Sequence, residues 1–101
     1  MVLTELNNDM PGDYIFTTDS GSTYLIRIRP DERYLCRLNN RHALRKDREI
    51  IRVLKIERLK LGQPALFVLE PLNTAYDVTF RRTTIINSIA LDEKANQEWP
   101  K

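Results

Sequence analysis

Hydrophobic and polar positions alternate with a period of two in several short runs along the chain. Residues 14–18 (Tyr14, Ile15, Phe16, Thr17, Thr18) are aromatic or β-branched; Asp19-Ser20-Gly21-Ser22 interrupts them, and the pattern resumes over 23–29. Two such runs about a glycine-bearing turn predict a β-hairpin. In the second run Tyr24, Ile26 and Ile28 share one face and Arg27 and Arg29 the other, the signature of a sheet wet on one side. Pro30-Asp31-Glu32 supplies a turn with φ preset by proline. Residues 33–38 alternate again, with Tyr34, Cys36 and Leu38 assigned inward, so a third meander strand follows.

Residues 39–49, NNRHALRKDRE, read as a basic loop, with a short helix capped by Asn40 as the alternative. As a helix, 39–49 would stack Arg41, Arg45 and Arg48 at spacings of three and four and would have no apolar stripe beyond Ala43 and Leu44. The apolar positions of 50–61 would lie all around a helix, and the doubled pairs Ile50-Ile51 and Val53-Leu54 each shift the alternation by one. That pattern predicts a bulged strand, or one buried on both faces. Gly62-Gln63-Pro64 turns the chain into a short strand at 65–70, which Pro71 ends; 77–82 and 83–90 complete the set.

Short strands with turn signals every eight to twelve residues predict a mainly β fold: a small antiparallel barrel or sandwich, SH3-like or similar, of about six to seven strands. A short helix at 40–49 or 92–99 is compatible with it. The expected organisation is a flexible N-terminal arm at 1–12, one β domain at 13–91 and a polar tail at 92–101. A length of 101 residues suits one domain.

Composition narrows the chemistry. Cys36 is the one cysteine, which excludes an intramolecular disulfide or a thiolate zinc cluster. Met1 to Met10 has neither the basic nor the apolar region of a secretory leader, and the longest apolar run is far short of the roughly 20 residues of a membrane helix. A cytoplasmic location without membrane contact is the expectation. The net charge of +2 is unevenly distributed: −4 over 1–32, +7 over 33–60 and −1 over 61–101.

The basic middle segment is the principal candidate for binding. Arg41, Arg45, Lys46, Arg48 and Arg52 fall within twelve residues, and Arg37, Arg81 and Arg82 join them if their strands are neighbours. Such a patch attracts phosphates or acidic proteins, and small barrels bind single strands by adding aromatic stacking to a basic groove. With Tyr24 and Tyr34 assigned inward, Tyr14, Tyr76 and Trp99 are the candidate platforms. His42, the one histidine, could pair with Glu49 as acid and base in a metal-independent ribonuclease, with Arg41 or Arg45 holding phosphate. Ser20, Ser22 and Ser88 lack a nucleophile elbow, Gly21 belongs to a turn and to no phosphate-binding motif, and Cys36 reads as a core thiol. No cofactor motif is present. The sequence therefore points to a non-catalytic small β binding module, meeting a protein or a second copy of itself through edge strands such as 33–38 or through the basic face. Nucleic-acid binding through 33–60 is the alternative, ahead of the His42 ribonuclease and of a structural role in a larger assembly.

Overall fold

The alternating runs at 14–18 and 23–28 pair as the expected hairpin, with Ile15 opposite Leu25 and Phe16 opposite Tyr24. Its turn closes with Gly21 N–H donating to Thr18 C=O at 3.0 Å and Thr18 N–H to Ser22 C=O at 3.0 Å. Gly21 sits at φ +86°, a conformation that side chains with a Cβ rarely adopt. The computed structural model describes residues 3–38, 50–71 and 79–93. In it six strands, β1 (Gly12–Thr18), β2 (Thr23–Ile28), β3 (Arg33–Arg37), β4 (Ile50–Arg58), β5 (Pro64–Leu69) and β6 (Thr79–Leu91), form a closed antiparallel barrel in simple sequence order. The helices considered for 40–49 and 92–99 fall outside the described residues, apart from Asp92 and Glu93, which are not helical.

The interior is filled by side chains. Phe16 stacks against Tyr24 with ring centroids 5.0 Å apart and against Phe67 at 6.1 Å. Ile26, Ile28, Leu35, Val53, Leu69 and Ile86 surround this aromatic centre, all buried. A barrel of so few strands has room for such a core and for no channel.

Closure corrects two expectations about β3. The strand pairs with β2 on one side and β4 on the other, so it offers no open edge for recruiting a partner. Its inward residue is Leu35; Cys36 instead joins Leu25 in a second, outer cluster, with Ile15, Tyr34 and Leu38 packed against it. The inward face carries Arg33 and Arg37 at its ends around Leu35, whereas Tyr34, Cys36 and Leu38 are all apolar or aromatic, so alternation alone favoured the outer set. Cys36 is buried, as expected, but outside the barrel interior.

The bulges expected in 50–61 are present. Between Val53 and Lys55, and again between Ile56 and Arg58, β4 carries one more residue than β5, and Ile51, Val53, Ile56 and Leu59 point inward at widening spacing. β6 is a single strand where two were expected. It too carries two extra residues, one against β5 between Pro64 and Leu66 and one against β1 between Thr17 and Thr18. Its first half pairs with β5 and its second half with β1, so the bulges bend one strand into two.

Residues 3–10, within the stretch expected to be a flexible arm, lie along the part of β4 that β3 leaves unpaired. Leu6 N–H donates to Leu59 C=O at 2.9 Å and Leu61 N–H to Thr4 C=O at 2.9 Å. The Asn8 side chain imitates a strand: its Oδ1 accepts from Ile56 N–H at 2.9 Å and its Nδ2 donates to Ile56 C=O at 3.0 Å. Leu6 is 1% exposed and belongs to the core. The chain then enters β1 at Gly12 (φ +151°), where a Cβ would lie 3.0–3.1 Å from the Tyr14 ring. On the outer face, Asp13 accepts from Arg27 Nε at 2.7 Å and from Arg29 at 3.2 Å. Burial alone would raise the Asp13 carboxyl, but the two arginines outweigh it and hold it below its ordinary value.

Two outcomes are expected from urea denaturation. Leu6→Ala lowers stability by about 2–4 kcal/mol and Asn8→Ala by about 1–2 kcal/mol, as for core and hydrogen-bonding positions; changes of a few tenths would show that the segment does not hold the fold. Because Asp13 titrates lower when folded, its contribution is present above the unfolded carboxylate value and is lost as pH falls through the folded one. Asp13→Asn should therefore cost about 1 kcal/mol at neutral pH and flatten the decline in stability below about pH 4; an unchanged acid profile would refute that role.

Candidate functional site

Strand alternation divides the basic residues singled out in the sequence. Arg37 lies opposite the inward Tyr24, and its guanidinium donates to Ser22 Oγ at 3.5 Å. Arg81 lies opposite the inward Phe67. Arg52 and Arg82 point outward, opposite Tyr34 and Leu66. Arg41, Arg45, Lys46 and Arg48, together with His42 and Glu49, lie outside the described residues, as do the platforms Tyr76 and Trp99. Tyr14 is no platform: its ring is 5% exposed and its hydroxyl donates to Met10 C=O at 3.2 Å. Tyr34, expected to point inward, stands on the outer face and donates to the Glu32 carboxylate at 2.8 Å, which raises the phenol above its ordinary value.

The outer face of β4, β5 and β6 is where unburied apolar surface and cationic charge meet. Ala65, Phe67 and Leu69 fill the barrel, so Leu66 and Val68 turn outward and remain half-buried. Val68 is flanked in register by Lys55 on β4 and Phe80 on β6; Leu66 is flanked by Arg58 and Arg82. Phe80 is 65% exposed, and Leu54, turned outward by the β4 bulge, is 38% exposed. The β4 bulge sets Leu54 and Lys55 side by side on this face, so Leu54, Leu66, Val68 and Phe80 form an apolar stripe crossing three strands, rimmed by Arg52, Lys55, Arg58 and Arg82. Of the rim, Lys55 is ion-paired with Glu57 at 3.3 Å and Arg58 Nε donates to Pro64 C=O at 2.9 Å. Arg82 has no ion-pair partner among the described residues.

This stripe was not singled out from the sequence. The available signal was Phe80-Arg81-Arg82 in a stretch, 79–91, that holds no acidic residue at all. What sequence alone could not supply was that Val68 and Leu66 face the same way as Phe80, since 65–69 is apolar throughout.

The remaining chemistry-bearing groups are engaged structurally. The hydroxyls of Thr18, Ser20, Ser22 and Thr84 hydrogen-bond among themselves at 3.0–3.4 Å and tie the β1–β2 turn to β6. Among the described residues no three His, Cys, Asp or Glu side chains converge as metal ligands, and no helix is long and apolar enough to cross a membrane. No protein-family model, no curated protein and no solved structure matches the chain.

Proposed function

We propose that this protein is a non-catalytic β binding module whose contact surface is the outer face of β4, β5 and β6. The observation that carries the reading is Phe80: a large aromatic side chain 65% exposed on the outer face of β6, next to Val68 and within a cationic rim. Interfaces draw most of their energy from such apolar and aromatic anchors, with charged residues around them setting partner choice and approach. Among the described residues the core packs around Phe16 and Phe67 without Phe80.

A protein partner fits this surface better than nucleic acid does. Single-strand binders use several aromatic platforms along a basic groove, whereas the stripe offers one ring and three aliphatic neighbours. The nucleic-acid reading rests on Phe80 and Arg82 standing on one face, and it carries a separate signature: affinity falling steeply with added salt.

Selection of random peptides on the purified protein tests the proposal. Selected peptides should lose on the order of tenfold or more in affinity for the Phe80→Ser and Leu54→Ser variants, both at exposed positions that leave the core untouched. Undiminished binding to both variants would place the contact surface elsewhere. Failure to select peptides, together with Phe80-dependent binding of oligothymidylate, would favour nucleic acid.

A further inference from the structure

We infer that β6 is a docking strand, and that its residues 80–83 take up an extended acidic segment of a protein partner as an added β-strand beside Phe80. This rests on the reading of the β4–β5–β6 face as the contact surface, and it names both the mode of binding and the chemistry of the partner.

The backbone supplies the first observation. β6 pairs with β5 along Thr79 to Ile85, but its pairing with β1 begins only at Ile86. Turn contacts cover the step between: Asp19 N–H donates to Ile85 C=O at 2.9 Å and Ser20 N–H to Thr84 Oγ1 at 3.2 Å. On the side away from β5, no backbone partner meets residues 80–83 among the described residues. The comparable stretch of β4 beyond its pairing with β3 is treated differently. There the Arg33 side chain reaches Leu54 C=O, Asn8 bonds to Ile56, and residues 4–6 take up Leu59 and Leu61. Among the described residues, one edge is thus covered residue by residue and 80–83 of the other is bare. A bare edge is a template for strand addition.

Charge selects the occupant. Arg81 and Arg82 have no ion-pair partner among the described residues, and β6 holds no acidic residue. A second copy paired antiparallel over the same residues would set guanidinium groups against their own counterparts, which opposes self-association. A nucleic acid has no alternating N–H and C=O groups to match the strand. In a partner strand laid along 80–83, the positions beside Arg81 and Arg82 fall on opposite faces and call for Asp or Glu. The position beside Phe80 falls on the outer face with Arg82 and calls for an apolar side chain.

The test uses the full chain and a short synthetic peptide with the core Glu-Glu-Val-Glu-Glu, which in either strand direction sets Val beside Phe80 and Glu beside both Arg81 and Arg82. It is compared with a Lys-for-Glu version, with versions N-methylated along one backbone edge or the other, and with oligothymidylate. The Glu peptide should bind and the Lys peptide should not. Phe80→Ser and Arg82→Glu should each weaken binding on the order of tenfold, while the urea midpoint stays unchanged. N-methylation of one of the two edges should abolish binding, and the amides of 80–83 that face the partner should become protected from hydrogen exchange. Equal binding of both N-methylated peptides would overturn strand addition while leaving the contact surface standing; binding indifferent to Phe80→Ser and Arg82→Glu would overturn both. Absence of Glu-peptide binding would overturn the acidic partner, with Phe80-dependent oligothymidylate binding assigning the site to nucleic acid. A dimer in sedimentation that Phe80→Ser dissolves would assign it to a second copy.

Discussion

Closing a sheet of only six strands around three aromatic rings is the constraint from which the rest of this structure follows. A small barrel must bend its strands sharply, and a strand bends most readily where it carries one residue more than its neighbour. β4 and β6 take up this task, each with two such residues. The bulge between Val53 and Lys55 turns Leu54 to solvent, and the bending of β6 frees its first half from β1. The candidate surface is thus a by-product of closure, made where the barrel turns its corners.

The same geometry governs the edges. Strands of unequal length leave the longer ones with stretches that no neighbour reaches, and unpaired backbone groups there invite association. At β4 the solution is local and complete, combining an arginine side chain, an asparagine that copies a peptide group, and residues 4–6. At β6 the described residues leave a short edge that carries two arginines, the place where we propose that an acidic strand docks and a second copy is disfavoured. Selectivity in such an arrangement comes from what is kept away as much as from what is bound.

The strand inventory was legible in the sequence because turn chemistry marks it so clearly: Asp19-Ser20-Gly21-Ser22, Pro30-Asp31 and Gly62-Gln63 all fall between paired strands. The inward faces of β1 and β2 were legible as well, since Arg27 and Arg29 mark the wet side. β3 misled because Tyr34, Cys36 and Leu38 are apolar and yet outside, held by Leu25 and Ile15 across the sheet. Periodicity reports polarity, and a second cluster on the outer face removes the contrast it depends on. The unity of β6 was hidden for a related reason: two bulges change its spacing, so 79–91 resembles two strands read in different registers. The candidate surface was hardest to find, because it is assembled from three strands whose relative orientation depends on those bulges.

The order of pairing also shapes how the barrel comes together and apart. Each strand but the last pairs with the next in sequence, and three of these ladders close over loops of four or five residues; the seam between β1 and β6 joins the most distant strands, as in the Thr17–Ser88 hydroxyl contact across 71 positions, and residues 4–8 reach β4 across about 50. The entropy of loop closure is concentrated in that seam, while the five hairpin-like pairings form locally. A meander of this kind assembles as a curling ribbon and becomes a cylinder in its last step. The seam is the one strand ladder that cannot form until both ends of the ribbon are in place.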